Sequence, residues 1–113
     1  MQIADLEDRA DDAAELLAAM ANPKRLALLC ALLGDELSVG ELAERVGLAQ
    51  SPLSQHLAKL RAMHLVATRR EGQMIYYRLA SEAVARVLET LHGIYCAPMP
   101  VAASGKKSRS VRQ

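Results

Sequence analysis

At 113 residues and 51% apolar content, with three tyrosines as its only aromatics, the chain can build one aliphatic core and not two domains. Its net charge of +1 disfavours a nucleic-acid partner only until it is divided along the sequence: residues 1–20 sum to −5, residues 48–80 to +4, and the stretch from Ala97 to +4. No apolar run approaches the ~20 residues of a membrane span, and residues 1–12 are acidic where a signal peptide would be basic and then apolar, so a cytoplasmic protein with two free thiols is expected.

In chain order, residues 3–19 read as a helix, with Ile3, Leu6, Ala10, Ala13, Ala14 and Leu17 on one stripe and the acids opposite or flanking. That alanine-rich stripe suits close packing on another helix, including one from a second subunit. Asn22-Pro23 marks the next start, an N-cap followed by proline at the first helical position. The helix it opens should run to about Leu33, with Leu26, Leu29, Cys30 and Leu33 on one face, and Gly34 should end it.

Ser38-Val39-Gly40-Glu41 fits a capping box, hydroxyl and carboxylate each satisfying a free N–H at a helix start. The short helix it opens turns Leu42, Ala43 and Val46 inward, and Gly47 closes it. Residues 48–60 then form a second helix, with Pro52 in the first turn, where a missing N–H is tolerated. Leu53, Leu57 and Leu60 recur at i, i+4 and i+7 as a core stripe. The opposite face carries Gln50, Ser51, Ser54, Gln55 and Lys59, groups that read base edges plus a cation for phosphate. A two-turn helix, a glycine turn and a polar-faced helix in this order have helix-turn-helix spacing. His56 either contacts phosphate or holds the helix against its neighbour.

Beyond Leu65 the period changes to 2. Val66, Thr68 and Arg70 alternate with Ala67 and Arg69; Ile75, Tyr77 and Leu79 alternate with Met74, Tyr76 and Arg78. Glu71-Gly72-Gln73 is the hairpin tip between them. A lone hairpin is marginal, so it must lean on the helices as the wing of a winged helix. Arg70 and Gln73 at its tip can reach sugar-phosphate or a minor groove, Tyr77 is expected in the core and Tyr76 on the wing surface. Met20, Met63 and Met74 read as gap-fillers. Ser81 caps a last helix to about Tyr95, with Val84, Val87, Leu88, Leu91, Ile94 and Tyr95 as its stripe; Cys96 follows. The expected organisation is a domain over residues 1–96 and a disordered basic tail over 97–113. No paired carboxylates, glycine-rich phosphate loop or Ser/His/Asp set supports catalysis, and no cofactor is expected.

Asn22-Pro23-Lys24-Arg25-Leu26, Glu41-Leu42-Ala43, Ser54-Gln55-His56-Leu57, Arg69-Arg70-Glu71-Gly72 and Tyr76-Tyr77-Arg78-Leu79, in this order, resemble the ArsR/SmtB family of homodimeric winged-helix repressors. The resemblance covers roughly residues 5–96. It implies a mainly α fold with a β-hairpin and a dimer interface built from the first and last helices. It also implies double-stranded operator DNA as partner, read by two copies of the helix in successive major grooves of an inverted repeat.

Many relatives sense metals. Ser38 and Gly40 occupy the positions where the soft-metal motif places cysteines, and without thiolates that site cannot form. The last helix offers Glu82, Glu89 and His92 without the paired spacing of the zinc-sensing relatives, so His92 reads as an interface or surface histidine and no metal site is assigned. A metal-responsive repressor stays as the alternative, with a mixed Cys30/Cys96/His92 site left open. The placement of Cys30 and Cys96 is similar to the SqrR/BigR-like, persulfide-responsive subgroup. That similarity implies that reactive sulfur species or oxidants join the two cysteines and release DNA, inducing sulfide-detoxification genes. At least one cysteine should then have a lowered pKa or an accessible sulfur; the bland alternative is two inert core thiols. An oxidoreductase is disfavoured by the lack of Cys-x-x-Cys.

Overall fold

The computed structural model describes residues 3–96; the tail expected from residue 97 lies outside the described residues. The elements among them are α1 (Ile3–Asp8), α2 (Ala10–Met20), α3 (Pro23–Ala31), β1 (Glu36–Ser38), α4 (Val39–Val46), α5 (Gln50–Ala62), β2 (Val66–Glu71), β3 (Met74–Leu79) and α6 (Glu82–Tyr95).

The N-terminal helix divides in two. Arg9 leaves helical geometry at φ −113° and ψ 16°, and its side chain turns to Asp12 at 3.0 Å. The face that meets the core also differs from the expected stripe. Ala19 and Met20 are buried and Leu16 half-buried, while Leu6 and Leu17 stay 50% and 54% exposed. Arg25 ties down the end of α2, its guanidinium donating to the carbonyl of Ala19 at 2.7 Å and to that of Ala18 at 3.3 Å, which also accepts the Ala21 N–H.

Asn22 caps α3 as expected, its side-chain oxygen accepting from the N–H groups of Lys24 and Arg25 at 2.9 and 3.0 Å. The helix ends at Ala31, two residues early, and a turn carries the chain through buried Leu32 to Gly34 at φ +75°. The strand β1 was not foreseen, since three residues are too few for an alternation to show. It pairs antiparallel with β3, Leu37 opposite Tyr77, and so widens the hairpin to a sheet of order β1-β3-β2.

Leu28, Leu29 and Leu32 meet Leu42, Leu53, Leu57 and Leu60 and, from α6, Val84 and Leu88, all at most 1% exposed. Each such side chain contributes roughly 1.5–3 kcal/mol by leaving water. Tyr77 packs against this cluster from the sheet, and Met63 from the end of α5. Met74 is not a gap-filler: it lies 48% exposed on the outer sheet face, opposite Glu71. Ser81 caps α6 through the Val84 N–H at 3.1 Å. The helix leaves the core in its last turns, where Ile94 and Tyr95 are 59% and 77% exposed.

Candidate nucleic-acid interface and thiol pair

The helix-turn-helix is fixed at both of its joints. Ser38 Oγ accepts the Glu41 N–H at 3.2 Å, and Glu41 Oε1 accepts the Ser38 N–H at 2.8 Å, so both halves of the capping box are made. At the other end Gly47 adopts φ +72°, donates its N–H to the Ala43 carbonyl, and turns the chain into α5. A Cβ there would meet nothing within 4 Å; the requirement for glycine is one of backbone conformation alone. Lys24 Nζ adds a bond to the Val46 carbonyl at 3.4 Å.

The helix α5 starts on an Ala49 without a side-chain cap, and Pro52 falls at its third position, where no N–H is needed. Leu53, Leu57 and Leu60 are sunk in the core. Gln50, Ser51, Ser54, Gln55 and Lys59 are exposed together, and His56 is half-buried at the edge of their face. The helical spacing divides these side chains further. Ser51, Gln55 and Lys59, at i, i+4 and i+8, point away from the core, while Ser54 belongs to a flank shared with Ala58, Arg61 and Ala62. That flank faces Tyr77 across a cleft of about 430 Å³. Arg61 and the cleft were missed at the level of sequence, because only the return of β3 makes this flank a wall.

The hairpin pairs Val66 with Leu79 through Glu71 with Met74 around Gly72-Gln73. Gly72 takes φ +61° at the first loop position, as a two-residue hairpin turn requires. Two neighbouring arginines diverge here. Arg69, on the outer face, lies 4.7 Å over the Tyr76 ring and binds Glu36 at 2.9 Å and Glu71 at 3.1 Å; these bonds, that to Glu36 first, hold it firmly protonated. Arg70 lies on the face of Tyr77, exposed and without an ion pair among the described residues, with Gln73 exposed beyond it.

Cys30 and Cys96 are both free and exposed. The Cys96 N–H donates to the His92 carbonyl at 2.8 Å, closing the end of α6. Although Cys30 is exposed as a residue, its thiol is pushed above the ordinary value of 9.0, first by partial burial and second by the charge of Cys96. The helices that carry the two cysteines, α3 and α6, pack against each other. The expected lowered pKa is not found at Cys30; accessibility is. Among the described residues, no three His, Cys, Asp or Glu side chains converge to hold a metal ion, and Cys30, Cys96 and His92 form no such group. Among the same residues no helix is long and apolar enough to cross a membrane.

Residues 22–68 match the family described as bacterial regulatory proteins of the arsR family. The nodulation protein NolR of Rhizobium meliloti is 57% identical over 86 residues, 76% of this chain and 70% of that protein. The transcriptional activator HlyU of Vibrio cholerae is 51% identical over 96 residues, 85% of this chain and 89% of that one. Its structure in reduced form superposes with a TM-score of 0.78 at 52% identity, covering 82% of this chain and 98% of that chain. The repressor BigR of Xylella fastidiosa superposes with a TM-score of 0.82 at 42% identity, covering 87% of this chain and all of that one. With its winged helix-turn-helix and these relatives, the chain belongs to the ArsR family and is a DNA-binding transcriptional regulator, not an enzyme.

Proposed function

We propose that two copies of this chain form a cytoplasmic repressor that holds an inverted-repeat operator while its thiols are reduced. Reactive sulfur species then join Cys30 to Cys96 and release the DNA, inducing genes for sulfide detoxification. The observation that carries this reading is that both cysteines are free and exposed, Cys30 on α3 and Cys96 at the end of α6, two helices that pack against each other. A relative of 52% identity described in reduced form supports a redox reading.

The chemistry balances with one persulfide. A thiolate of the pair attacks the outer sulfur of R–S–SH, releasing RSH and leaving a protein persulfide. The second thiol displaces hydrogen sulfide and closes the disulfide, both protein thiols having been oxidised. A bridge with an additional sulfur needs a second persulfide and releases a second RSH.

In the DNA-bound form Gln50, Ser51, Ser54 and Gln55 read base edges, and His56 and Lys59 contact phosphate. Arg70 and Gln73 reach the backbone or minor groove from the wing. Leu6, Leu17, Ile94 and Tyr95, exposed on the first two helices and the last, supply the apolar surface for a dimer.

A gel shift with reduced and persulfide-treated protein, paired with mass spectrometry, tests the reading. Treatment should release DNA and remove two hydrogens, or add sulfur across Cys30 and Cys96. Release that persists in both Cys30→Ser and Cys96→Ser would sink the thiol switch, and release by a stoichiometric metal ion would replace it with a metal-responsive regulator.

A further inference from the structure

The cleft between α5 and the sheet borders the DNA-reading face of α5: none of Ser51, Gln55 and Lys59 lines it, and Ser54 stands at the boundary, on the cleft wall and beside the base-reading residues. Its walls are Ser54, Ala58, Arg61 and Ala62 on one flank of α5 and Tyr77 on β3. Arg61 stands exposed, and among the described residues it has no carboxylate partner, whereas Arg9 and Arg45 each have one and Arg69 has two. Arg70 lies on the same sheet face as Tyr77, one step nearer the tip. The two alanines keep the trough open where longer side chains would fill it.

We infer that this cleft seats the sugar-phosphate backbone of one DNA strand, with Arg61 as its principal phosphate ligand and the hydroxyls of Tyr77 and Ser54 as neutral donors. The inference rests on the proposal that α5 lies in a major groove and the wing tip in the neighbouring minor groove. Position supports it first: the strand that separates two adjacent grooves must cross between the elements that occupy them, and the cleft is the gap between α5 and the hairpin. Chemistry agrees, since the lining offers one cation and two hydroxyls and no carboxylate, a set that receives an anion. Shape also agrees. Ser54 and Arg61 are seven residues apart, about 10 Å along the helix axis, a reach suited to a run of backbone and long for a single free anion.

The test uses the full chain, a duplex selected by the protein and a scrambled duplex, with affinities measured against salt concentration. Arg61→Gln should weaken both duplexes by one common factor, on the order of 10–100-fold at ~0.1 M salt, and reduce the salt slope by roughly 2 per dimer. Arg61→Lys should keep the slope. Tyr77→Phe, which retains the packed ring, should keep it too and lose about 2- to 10-fold in affinity per subunit, as expected for a neutral hydrogen bond. Glutamine is a good helix former at this exposed site, so Arg61→Gln should unfold at the wild-type midpoint.

Three results would overturn the inference. One is an Arg61→Gln variant with unchanged slope. Another is one that loses only the preference for the selected duplex, which would make Arg61 a base reader. The third is saturable binding of inorganic phosphate alone to the wild type and not to Arg61→Gln, which would make the cleft a free-anion site. A wild type that binds neither duplex would instead sink the DNA reading itself, and the inference with it.

Discussion

Around α4 and α5, Leu42, Leu53, Leu57 and Leu60 are at most 1% exposed, whereas at the other end Leu17, Ile94 and Tyr95 stand 54%, 59% and 77% exposed. One end of the molecule closes its own core. The other leaves apolar side chains where α1, α2 and the last turns of α6 emerge, and Cys96 sits at that emerging end. The contrast teaches where a covalent signal can act. A link made amid the buried leucines would have to deform a packed interior, while one made at the end of α6 acts where the chain's own packing is least committed. In the proposed dimer the second subunit covers that end, so a Cys30–Cys96 bridge would alter how the subunits meet and leave each reading head intact.

The largest effects should separate the two ends by kind. Leu57→Ala opens a cavity in the closed core and should lower the unfolding free energy by roughly 2–5 kcal/mol, measured by urea titration, with loss of DNA binding only as a consequence. Tyr95→Ala should leave the unfolding of the separated subunit near wild type. It should raise the dimer dissociation constant roughly ten-fold or more, as expected for a large aromatic at an interface, measured by analytical ultracentrifugation. If Tyr95→Ala instead unfolds the subunit and leaves the dimer alone, the division between ends is wrong.

Within the reading end a finer contrast is expected between two neighbours on one strip of α5. Gln55→Ala should lose roughly 1–3 kcal/mol of discrimination between the right and wrong base pair. Lys59→Ala should weaken all sequences alike and lower the salt slope. Binding to selected and scrambled duplexes distinguishes the two outcomes. A Gln55→Ala variant that weakens every duplex equally would make Gln55 a backbone contact.

The reading end was legible in the sequence because independent signals agree there. The Ser38–Glu41 box, the left-handed Gly47 and the leucine spacing of α5 each point to the same two helices. The Ser81 cap and the apolar stripe of α6 did the same at the C-terminal side. Elsewhere the local signal was weak or shared. Alanines on all sides of α2 make several faces equally plausible, so the burial of Ala19 and Met20 and the exposure of Leu17 depend on tertiary packing. Glu36 gave no sign of reaching across the sheet to Arg69, because the strand that carries it has three residues. Arg61 read as one more helix cation until β3 returned beside it.

The smallest effect bears on whether the two ends are joined chemically as proposed. A Cys30 pKa above 9.0 means less thiolate at neutral pH, so alkylation of Cys30 by iodoacetamide should reach its half-maximal rate above pH 9.0. The fold thus favours the protonated thiol. Its contribution to stability is present below the ordinary value and is lost as pH rises through the raised one. Cys96→Ser removes the lesser of the two causes and leaves the burial, so the Cys30 midpoint should move down yet remain above 9.0. A midpoint that does not move would mean the sulfurs do not sense each other, and the disulfide reading would lose that support. Should the midpoint drop to 9.0, the partner's charge and not burial would be the leading cause. A raised pKa also makes the thiolate that does form a stronger nucleophile. Cys30 is then held mostly protonated at neutral pH, yet reactive toward the sulfane sulfur of a persulfide once its proton is lost.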